Sequence, residues 1–258
     1  MIVARRNGHD FAVEPTYASF WKEFSAGSWE PDTFAVFDQF VDRHTLHLDV
    51  GAWIGPTVLY AATRAAKVIG FEPDPVAYGF LQKNVAANPQ LAPIQVEHVA
   101  IAPRNERIRI GSRGAPGDSM SSELFATCET TWEIQGRTLD TYLDPWPESD
   151  PVFIKIDIEG GEYHLLPSLA KLLRRPNLTL LLSLHPAFFL APYFGRGRLV
   201  QAVGELKLLR AWLPIARVLR QFHYCRCSPG GEISPLELLH RKTWRRTPTL
   251  LCSNRRSR

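Results

Sequence analysis

The stretch LHLDVGAWIGPTVLYAATRAAKVIGFE, residues 46–72, decides the fold. It runs from an apolar strand through a turn with two glycines into a helix and a second apolar strand, and the next 28 residues repeat the alternation. Parallel strands need a long crossover, usually a helix, so this order predicts a parallel sheet with right-handed connections. The predicted elements are strands at 46–50, 68–71 and 94–100 and helices at 57–66 and 75–87.

The second half of the chain extends the same sheet. The sheet resumes at 152–156, and the segment 178–184 is predicted to be a central strand, because an unbroken apolar run suits a strand covered on both faces. Two later segments are expected to close the sheet, one of them antiparallel. These predictions give an α/β fold with a mostly parallel seven-stranded sheet and helices on both faces. The predicted elements are strands at 152–156, 178–184, 221–225 and 249–252, a helix at 162–173, and a helix at 199–213 that ends or kinks at Pro214.

Two regions fall outside this alternation. Residues 1–44 are rich in aromatic side chains, and we expect an N-terminal helical extension packed on the core. Residues from about 101 to 140 contain an alternating segment at 107–110 with a hairpin partner at 132–137, which predicts an insertion over the face of the sheet. We expect 45–258 to form one Rossmann-like domain, a size that a single core supports.

Composition narrows the class of protein. Four cysteines, irregularly spaced, are too few for a disulfide framework and lack the second pair of a zinc site, which favours a reducing cytoplasm. The most apolar stretch, 178–194, is shorter than the roughly 20 residues of a membrane span and contains His185 and two prolines, so we expect no span.

Residues 241–258 carry seven Lys and Arg and no acid. Such a tail can bind polyanions, but we expect a solvated terminus.

The turn DVGAWIG, residues 49–55, has the features of a cofactor loop. Ligands of open α/β sheets bind outside the carboxyl ends of the strands. Gly51 would let a ligand approach the backbone, and Gly55 would let the next helix pack closely. Asp49 departs from the G-x-G-x-x-G pattern of dinucleotide loops, where its carboxylate would repel a pyrophosphate. That carboxylate suits the cationic groups of S-adenosylmethionine, held directly or through water.

Glu72 strengthens this interpretation. It ends the second strand about 20 residues after the loop, where an acid commonly binds the ribose hydroxyls of a nucleotide. The end of the third strand, with Val99 and Ala100, is expected to provide an apolar wall for adenine, and Ser119 to cover it. The sequence therefore predicts an adenosine-bearing, positively charged cofactor.

Three acids and a lysine cluster after the fourth strand, in IKIDIEGGE, residues 154–162. Asp157 would lie at the carboxyl edge, beside the methyl group of that cofactor. For Glu162, a role in the site and a favourable charge at the start of a helix are equally good interpretations.

Taken together, these motifs resemble those of the FkbM-type methyltransferases, over about residues 30–185. The resemblance implies a class I, Rossmann-like methyltransferase that uses S-adenosylmethionine, typically an O-methyltransferase of sugar or natural-product hydroxyls. Trp53 replaces the family's usual asparagine, and Ser183 to Pro186 stands where many members carry an acid before the histidine. The matching segments are DVGAWIG at 49–55, GFEP at 70–73, TLD at 138–140 and KIDIEGGE at 155–162. With these motifs placed on the chain, the expected cofactor-binding residues are Asp49, Gly51, Trp53, Gly55, Glu72, Pro73, Val99, Ala100, Ser119 and Asp157.

Methyl transfer to a hydroxyl needs an in-line approach and a base that reaches the hydroxyl proton. We expect Asp157 or His185 to be that base, with Lys155 and Glu159 orienting the base or the acceptor. An unperturbed histidine titrates near ~6.5, which suits His185, although a structural strand-end histidine explains it equally well. Asp157, Glu159 and His185 also offer the donors of a divalent metal site for magnesium or manganese, and the residues leave this alternative open.

The expected acceptor is a small molecule or glycan, which Glu30, Trp29 and the insertion would help to bind. The alternatives are N-methylation of a peptide or nucleic acid, a nicotinamide oxidoreductase, and a Rossmann module that binds without turnover. Asp49 argues against the oxidoreductase, and the lack of an Asn/Asp-Pro-Pro-Tyr-like motif argues against nucleic acid. Retention of Asp49, Glu72 and Asp157 together argues against an inactive module. The sequence does not indicate an oligomeric state.

Overall fold

The computed structural model describes residues 1–112, 114, 116–118, 121–126, 130–193, 195, 197–228 and 249–255. In chain order its strands are β1 (Ile2–Arg6), β2 (His9–Val13), β3 (Leu46–Val50), β4 (Lys67–Phe71), β5 (Ile94–Glu97), β6 (Ala100–Ile101), β7 (Arg107–Ser112), β8 (Ser121–Ser122), β9 (Thr130–Arg137), β10 (Val152–Ile156), β11 (Leu178–Ser183), β12 (Tyr224–Ser228) and β13 (Thr249–Ser253). Its α-helices are α1 (Ala18–Ala26), α2 (Pro31–Phe40), α3 (Pro56–Ala61), α4 (Pro75–Ala86), α5 (Asp140–Leu143), α6 (Glu162–Ser168), α7 (Pro186–Leu190) and α8 (Arg198–Leu219).

A seven-stranded sheet forms the centre of the fold, in the order β12-β13-β11-β10-β3-β4-β5. The five strands from β11 to β5 pair in parallel. Strand β13 is antiparallel to both of its neighbours. The sheet is therefore mixed, and the prediction of one antiparallel closing strand is confirmed.

The central strands β3 and β10 are buried along their whole length, because both faces of the sheet are covered. Leu48 lies opposite Ile154 in the register, and both side chains belong to one hydrophobic core. Phe153 points the other way and belongs to the second core, as the alternation of side chains along a strand requires. Each such burial contributes about 1.5–3 kcal/mol, and the predicted bounds of these two strands agree with the structure.

Several predicted elements have different bounds. The helix predicted over 57–66 ends at Ala61. Helix α6 stops one residue after Pro167, whereas α8 continues through Pro214, because the residues beyond it stay on a buried face. The strand predicted over 94–100 is split: β5 stays in the main sheet, and β6 leaves it to pair with β9.

The first 44 residues begin with a β-hairpin, so their description as a helical extension is wrong for the first 13. Strands β1 and β2 pair antiparallel, with Ala4 opposite Phe11, and both side chains are buried. Helix α1 packs on β1 and α2 packs on α3. The inward-facing residues share one core with α3 and α4.

Two asparagines at the end of α4 attach this extension to the main domain. Asn84 accepts the backbone N–H of Glu14 at 2.8 Å and donates to the carbonyl of Ile54 at 2.8 Å. Asn88 accepts the N–H of Ala12 at 3.0 Å and donates to its carbonyl at 2.8 Å. These side-chain amides satisfy the edge of β2 as a neighbouring strand would.

The predicted insertion forms a second sheet, in the order β6-β9-β7-β8. The hairpin expected from 107–110 and 132–137 is present as β7 and β9, in which Ile108 lies opposite Ile134. A small core of Ala100, Ile110 and Ile134 holds this sheet together.

A disulfide joins Cys225 to Cys252, although the number and spacing of the cysteines predicted no disulfide framework. The two residues lie opposite one another on β12 and β13, with Cα atoms 4.2 Å apart. Sequence spacing could not pair them, since 27 residues separate them and only the antiparallel register brings them together.

Within the described residues, none of the helices has the length and apolar character of a bilayer span. Most of the basic segment 241–258 lies outside the described residues. Of the part that is described, 249–253 forms β13, and Arg255 donates to the carbonyl of Phe40 at 2.8 Å. This arginine is therefore docked on the domain, whereas a solvated terminus was expected.

Replacing Asn84 by alanine tests the attachment of the extension. The variant Asn84→Ala leaves the N–H of Glu14 and the carbonyl of Ile54 without partners, which should lower the free energy of unfolding by about 1–3 kcal/mol. Gln82→Ala, an exposed change on the same helix, should lie within about 0.5 kcal/mol of the parent. Urea unfolding of both variants measures the difference, and equal stabilities would contradict the assignment.

Candidate functional site

A cleft of about 780 Å³, counting the part that opens to solvent, lies at the carboxyl edge of the main sheet. The ends of β3, β4 and β10 form its floor and the insertion forms one wall. Its lining includes Val50, Gly51, Trp53, Phe71, Glu72, Pro73, Val99, Ala100, Ile108, Ile110, Asp118, Ser121, Asp157, Ile158, Glu159 and His164.

Gly51 shapes the loop after β3. Its φ is +89°, and a Cβ placed on it would lie 1.9 Å from the carbonyl oxygen of Asp157. The N–H groups of Gly51 and Ala52 both donate to the carbonyl of Phe71. The glycine is therefore required by the close approach of two strand ends, in addition to any ligand.

Glu72 stands at the end of β4 and organises the cleft floor. One carboxylate oxygen accepts the N–H of Trp53 at 2.7 Å, and the other accepts the N–H of Asp74 at 2.7 Å. Burial raises the pKa of Glu72 to about 8, against the opposing effect of these two hydrogen bonds. Each oxygen keeps a further acceptor position, which ribose hydroxyls could occupy.

Asp49 lies beneath the cleft floor and does not line the cleft. It is fully buried, and neither carboxylate oxygen has a hydrogen-bond partner among the described residues. The nearest basic groups are Lys155 Nζ at 3.8 Å and His47 Nε2 at 3.7 Å. A direct contact with a ligand, one of the two modes expected for Asp49, is therefore not the geometry of this structure.

Lys155 links Asp49 to the acids of the fourth strand end. It lies opposite Asp49 in the register of β10 and β3, and its Nζ is 3.2 Å from Asp157 Oδ2. Burial alone would lower the pKa of Lys155, but the charges of Asp157, Asp49 and Glu30 raise it overall. Burial raises the pKa of Glu30, which stands at the start of α2 with φ of +43°. The N-terminal extension thus adds a carboxyl to this charged group.

His185 is surrounded by three carboxylates. Its Nδ1 lies 2.9 Å from Glu162 Oε1. Its Nε2 lies 3.4 Å from Asp157 Oδ1 and 3.5 Å from Glu159 Oε2. Burial acts to lower the pKa of His185, but the hydrogen bond to Glu162 and the three negative charges raise it to about 9.

The two carboxylates that face Nε2 differ from one another. Burial raises the pKa of Asp157, but Lys155 and His185 outweigh it and lower that pKa overall. Burial raises the pKa of Glu159 to about 7, and its Oε2 atom is buried without a hydrogen-bond partner among the described residues. Asp157 is thus a stable carboxylate, and Glu159 is a carboxyl close to its titration point at neutral pH.

Glu162 is the functional residue that sequence reasoning undervalued. It is fully buried, and its two oxygens accept the N–H groups of Ile158 and Gly160 at 3.0 and 2.9 Å as well as contacting His185. It therefore fixes both the loop after β10 and the ring of a histidine 23 residues away. The local sequence signals only a helix start.

The insertion and the N-terminal extension meet over the end of the cleft that is lined by Trp53 and Pro73. Trp53 Nε1 and the Tyr17 hydroxyl both donate to the carbonyl of Gly117, at 2.9 and 2.7 Å. The N–H of Gly117 donates to Asp74 Oδ2 at 3.0 Å, and Trp132 Nε1 donates to the carbonyl of Pro73 at 3.0 Å. These four bonds form a roof over the cleft floor.

The structure places most of the predicted residues around one cleft, but in two layers. Gly51, Trp53, Glu72, Pro73, Val99, Ala100, Asp157 and Glu159 line it. Lys155 and His185 lie behind this lining and contact Asp157, and Asp49 lies behind Lys155. Gly55 is at the start of α3, where a Cβ would lie 2.7 Å from the side chain of Leu81, so its packing role fits. Ser119 lies outside the described residues.

The family model of the FkbM methyltransferase domain matches residues 49–207. The chain belongs to the FkbM methyltransferase family. The match begins at Asp49 and includes Glu72, Asp157, Glu162 and His185. The α/β fold with its large mixed sheet is accordingly of the methyltransferase type. No curated protein matches the sequence at a significant level.

Solved structures of methyltransferases are similar to this FkbM-family chain at low identity. An FkbM methyltransferase from Methylobacillus flagellatus KT is 16% identical, with a TM-score of 0.47 over 93% of this chain and 56% of that one. An rRNA methylase from Streptococcus thermophilus is 11% identical, with a TM-score of 0.41 over 85% and 92%. The tRNA (uracil-54, C5)-methyltransferase of Pyrococcus abyssi, in complex with S-adenosyl-L-homocysteine, is 14% identical, with a TM-score of 0.41 over 97% and 43%. The chain thus spans just over half the length of the FkbM structure.

Gly51→Ala tests the close approach of the two strand ends, with Gly8→Ala as its matched control. Both glycines have positive φ, +89° and +82°, but a Cβ added to Gly8 would have no atom within 4 Å among the described residues. Both variants should lose about 1 kcal/mol to backbone strain, and Gly51→Ala should lose a further ~1–3 kcal/mol to overpacking. Thermal unfolding measures both, and equal losses would show that the loop does not need this approach.

Proposed function

We propose that this protein is an S-adenosylmethionine-dependent methyltransferase that methylates a hydroxyl of a sugar, polysaccharide or natural product. The observation that carries the proposal is a single cleft with a ribose-compatible carboxylate, Glu72, on its floor and an acid–histidine cluster on its wall, in a chain of the FkbM methyltransferase family. Separate regions of the cleft are thereby available to a nucleoside donor and to an acceptor.

The residues present fit S-adenosylmethionine. Glu72 would accept the ribose hydroxyls, and the apolar side chains of Val99, Ala100 and Ile110 would cover adenine. The oxygens of Asp49, which have no hydrogen-bond partner in the described ranges, offer negative charge beneath the floor, and the carboxylate of Asp157 offers it in the lining. The attraction between opposite charges is much stronger in a buried site than in water. These two carboxylates therefore favour a cationic donor over a pyrophosphate.

When bound, S-adenosylmethionine supplies an electrophilic methyl group on a sulfonium. The chain's own task is to orient the acceptor oxygen towards that methyl group and to accept the hydroxyl proton. The cluster of Asp157, Glu159 and His185 is the candidate for both, since Asp157 and Glu159 line the cleft and His185 is held in one orientation by Glu162. Lys155 keeps Asp157 ionised and fixed in place.

The roof is suited to cover a donor that is bound beneath Trp53. Trp53, which stands where relatives of the family carry asparagine, contributes its N–H to Gly117 and its ring to Phe20, with centroids 4.6 Å apart. An apolar cover of this kind strengthens the electrostatic interactions beneath it.

Glu72→Gln tests the donor assignment. An amide cannot accept the N–H groups of both Trp53 and Asp74 and also the ribose, so S-adenosylhomocysteine should bind about 10–100-fold more weakly. Glu106→Gln, an exposed change on the insertion, should bind as the parent does. Isothermal titration calorimetry measures both affinities. Unchanged affinity in Glu72→Gln, or tight NAD binding in place of S-adenosylhomocysteine, would refute the proposal.

A panel of acceptors tests the reaction itself. The protein should transfer one labelled methyl group to a hydroxyl-bearing glycan or natural product, seen as a single methyl mass shift on oxygen. Transfer to a peptide or an RNA nitrogen would replace the hydroxyl acceptor with an N-methylation substrate. Tight donor binding without transfer to any member of a broad panel would favour a binding module.

A further inference from the structure

We infer that Asp157, Glu159 and His185 form a binding site for one divalent cation of the magnesium or manganese type, with its open positions facing the acceptor side of the cleft. One oxygen or nitrogen from each residue lies within 4.8 Å of the others. This inference rests on the proposed function only for the identity of the acceptor, since cation binding can be measured without turnover.

The spacing of the donor atoms fits a shared ion. His185 Nε2 is 3.4 Å from Asp157 Oδ1 and 3.5 Å from Glu159 Oε2. Donors that each lie about 2.1 Å from a cation at roughly right or tetrahedral angles are separated by about 3.0–3.5 Å. Both pairs that include His185 thus already have the separation that a shared ion requires, and the two carboxylate oxygens lie within 4.8 Å of one another.

Glu162 prepares the histidine as a ligand. It holds Nδ1 at 2.9 Å, so Nε2 is the nitrogen that points at Asp157 and Glu159. Metal-binding histidines almost always have a carboxylate or carbonyl partner on their second nitrogen, which fixes the ring and raises its basicity. The Glu162 carboxylate is itself anchored by the N–H groups of Ile158 and Gly160.

The set of charged residues around the proposed site also contains more acidic than basic side chains. The five acids are Asp49, Asp157, Glu159, Glu162 and Glu30, whereas the basic side chains that contact them among the described residues are Lys155, His185 and His47. Glu159 Oε2 is buried with no hydrogen-bond partner in the described part of the chain, which is costly for an acceptor. An imidazolium at His185 supplies one positive charge, whereas a divalent cation supplies two and gives that oxygen a ligand bond.

The cation would act on the acceptor. Asp157 and Glu159 line the cleft, so the coordination positions that they leave open face it. A hydroxyl, or two adjacent hydroxyls of a sugar, matches the oxygen preference of such an ion. With the cation bound, the ligated hydroxyl would pass its proton to the oxygen of Asp157 or Glu159 that does not bind the ion. The hydroxyl oxygen would then form its bond to the methyl carbon, and the electron pair of the broken sulfur–carbon bond would stay on sulfur.

Manganese binding to the full chain tests the site. After removal of metal with a chelator, Mn²⁺ is added and the free ion is followed by its paramagnetic resonance signal. The parent should bind one Mn²⁺ per chain, displaced by excess Mg²⁺, with pulsed spectra that show nitrogen coupling from a bound imidazole. Absence of binding, or binding without that coupling, would overturn the inference.

Variants assign the ligands. Glu159→Gln and His185→Gln should each weaken Mn²⁺ binding at least ~10-fold, and His185→Gln should also remove the nitrogen coupling. Glu162→Gln should weaken binding ~10–100-fold while the coupling remains. Glu133→Gln, an exposed acid on β9, serves as the control and should bind as the parent does. Equal affinity in all four variants would place the ion elsewhere.

S-adenosylhomocysteine affinity, measured on the same samples, reports whether each variant is folded. It also separates the two proposals. Donor binding and methyl transfer that persist in excess chelator would overturn the cation site and leave the proposed function intact. Manganese binding without S-adenosylhomocysteine binding would overturn the proposed function and leave the cation site intact.

Discussion

The site depends on the ion pairs that the ammonium group of Lys155 forms with two acids. Lys155 lies opposite Asp49 across two parallel central strands and also contacts Asp157, in a region where both faces of the sheet are covered. Removing one partner from such a buried set typically costs about 3–5 kcal/mol, because the remaining charges are left uncompensated. The sheet can therefore present acids at its carboxyl edge only because one strand carries a cation into the core beside them.

The sequence predicted the part of the fold that local pattern controls. Strands β3 and β10 have the predicted bounds, since both are short and mostly apolar segments that are buried along their whole length. The N-terminal hairpin was missed because its stabilising partners, Asn84 and Asn88, lie about 70 residues away. Pairing of Cys225 with Cys252 was missed for a similar reason, because it depends on the register of the closing strands.

The candidate site was likewise predicted only where local sequence pattern determines it. Motif spacing located Glu72 and Asp157 on one cleft, because strand ends of a parallel sheet meet at one edge. It could not reveal that Asp49 lies one layer below, since periodicity does not give depth. Motif spacing also could not show whether Glu162 only caps a helix or also binds His185. That contact depends on the placement of β11 beside β10, which brings His185 close to Glu162.

The roof over the cleft joins three parts of the chain that are distant in sequence. Tyr17 comes from the extension, Trp53 from the loop after β3 and Gly117 from the insertion, and they converge on one carbonyl. A fragment that starts at residue 45 would keep every strand of the main sheet. It would leave this carbonyl with one donor fewer and would remove the hydrogen bonds of Asn84 to Glu14 and of Asn88 to Ala12. Chimeras that exchange substrate-binding parts between relatives should therefore treat the first 44 residues as part of the catalytic unit, and graft them together with the insertion.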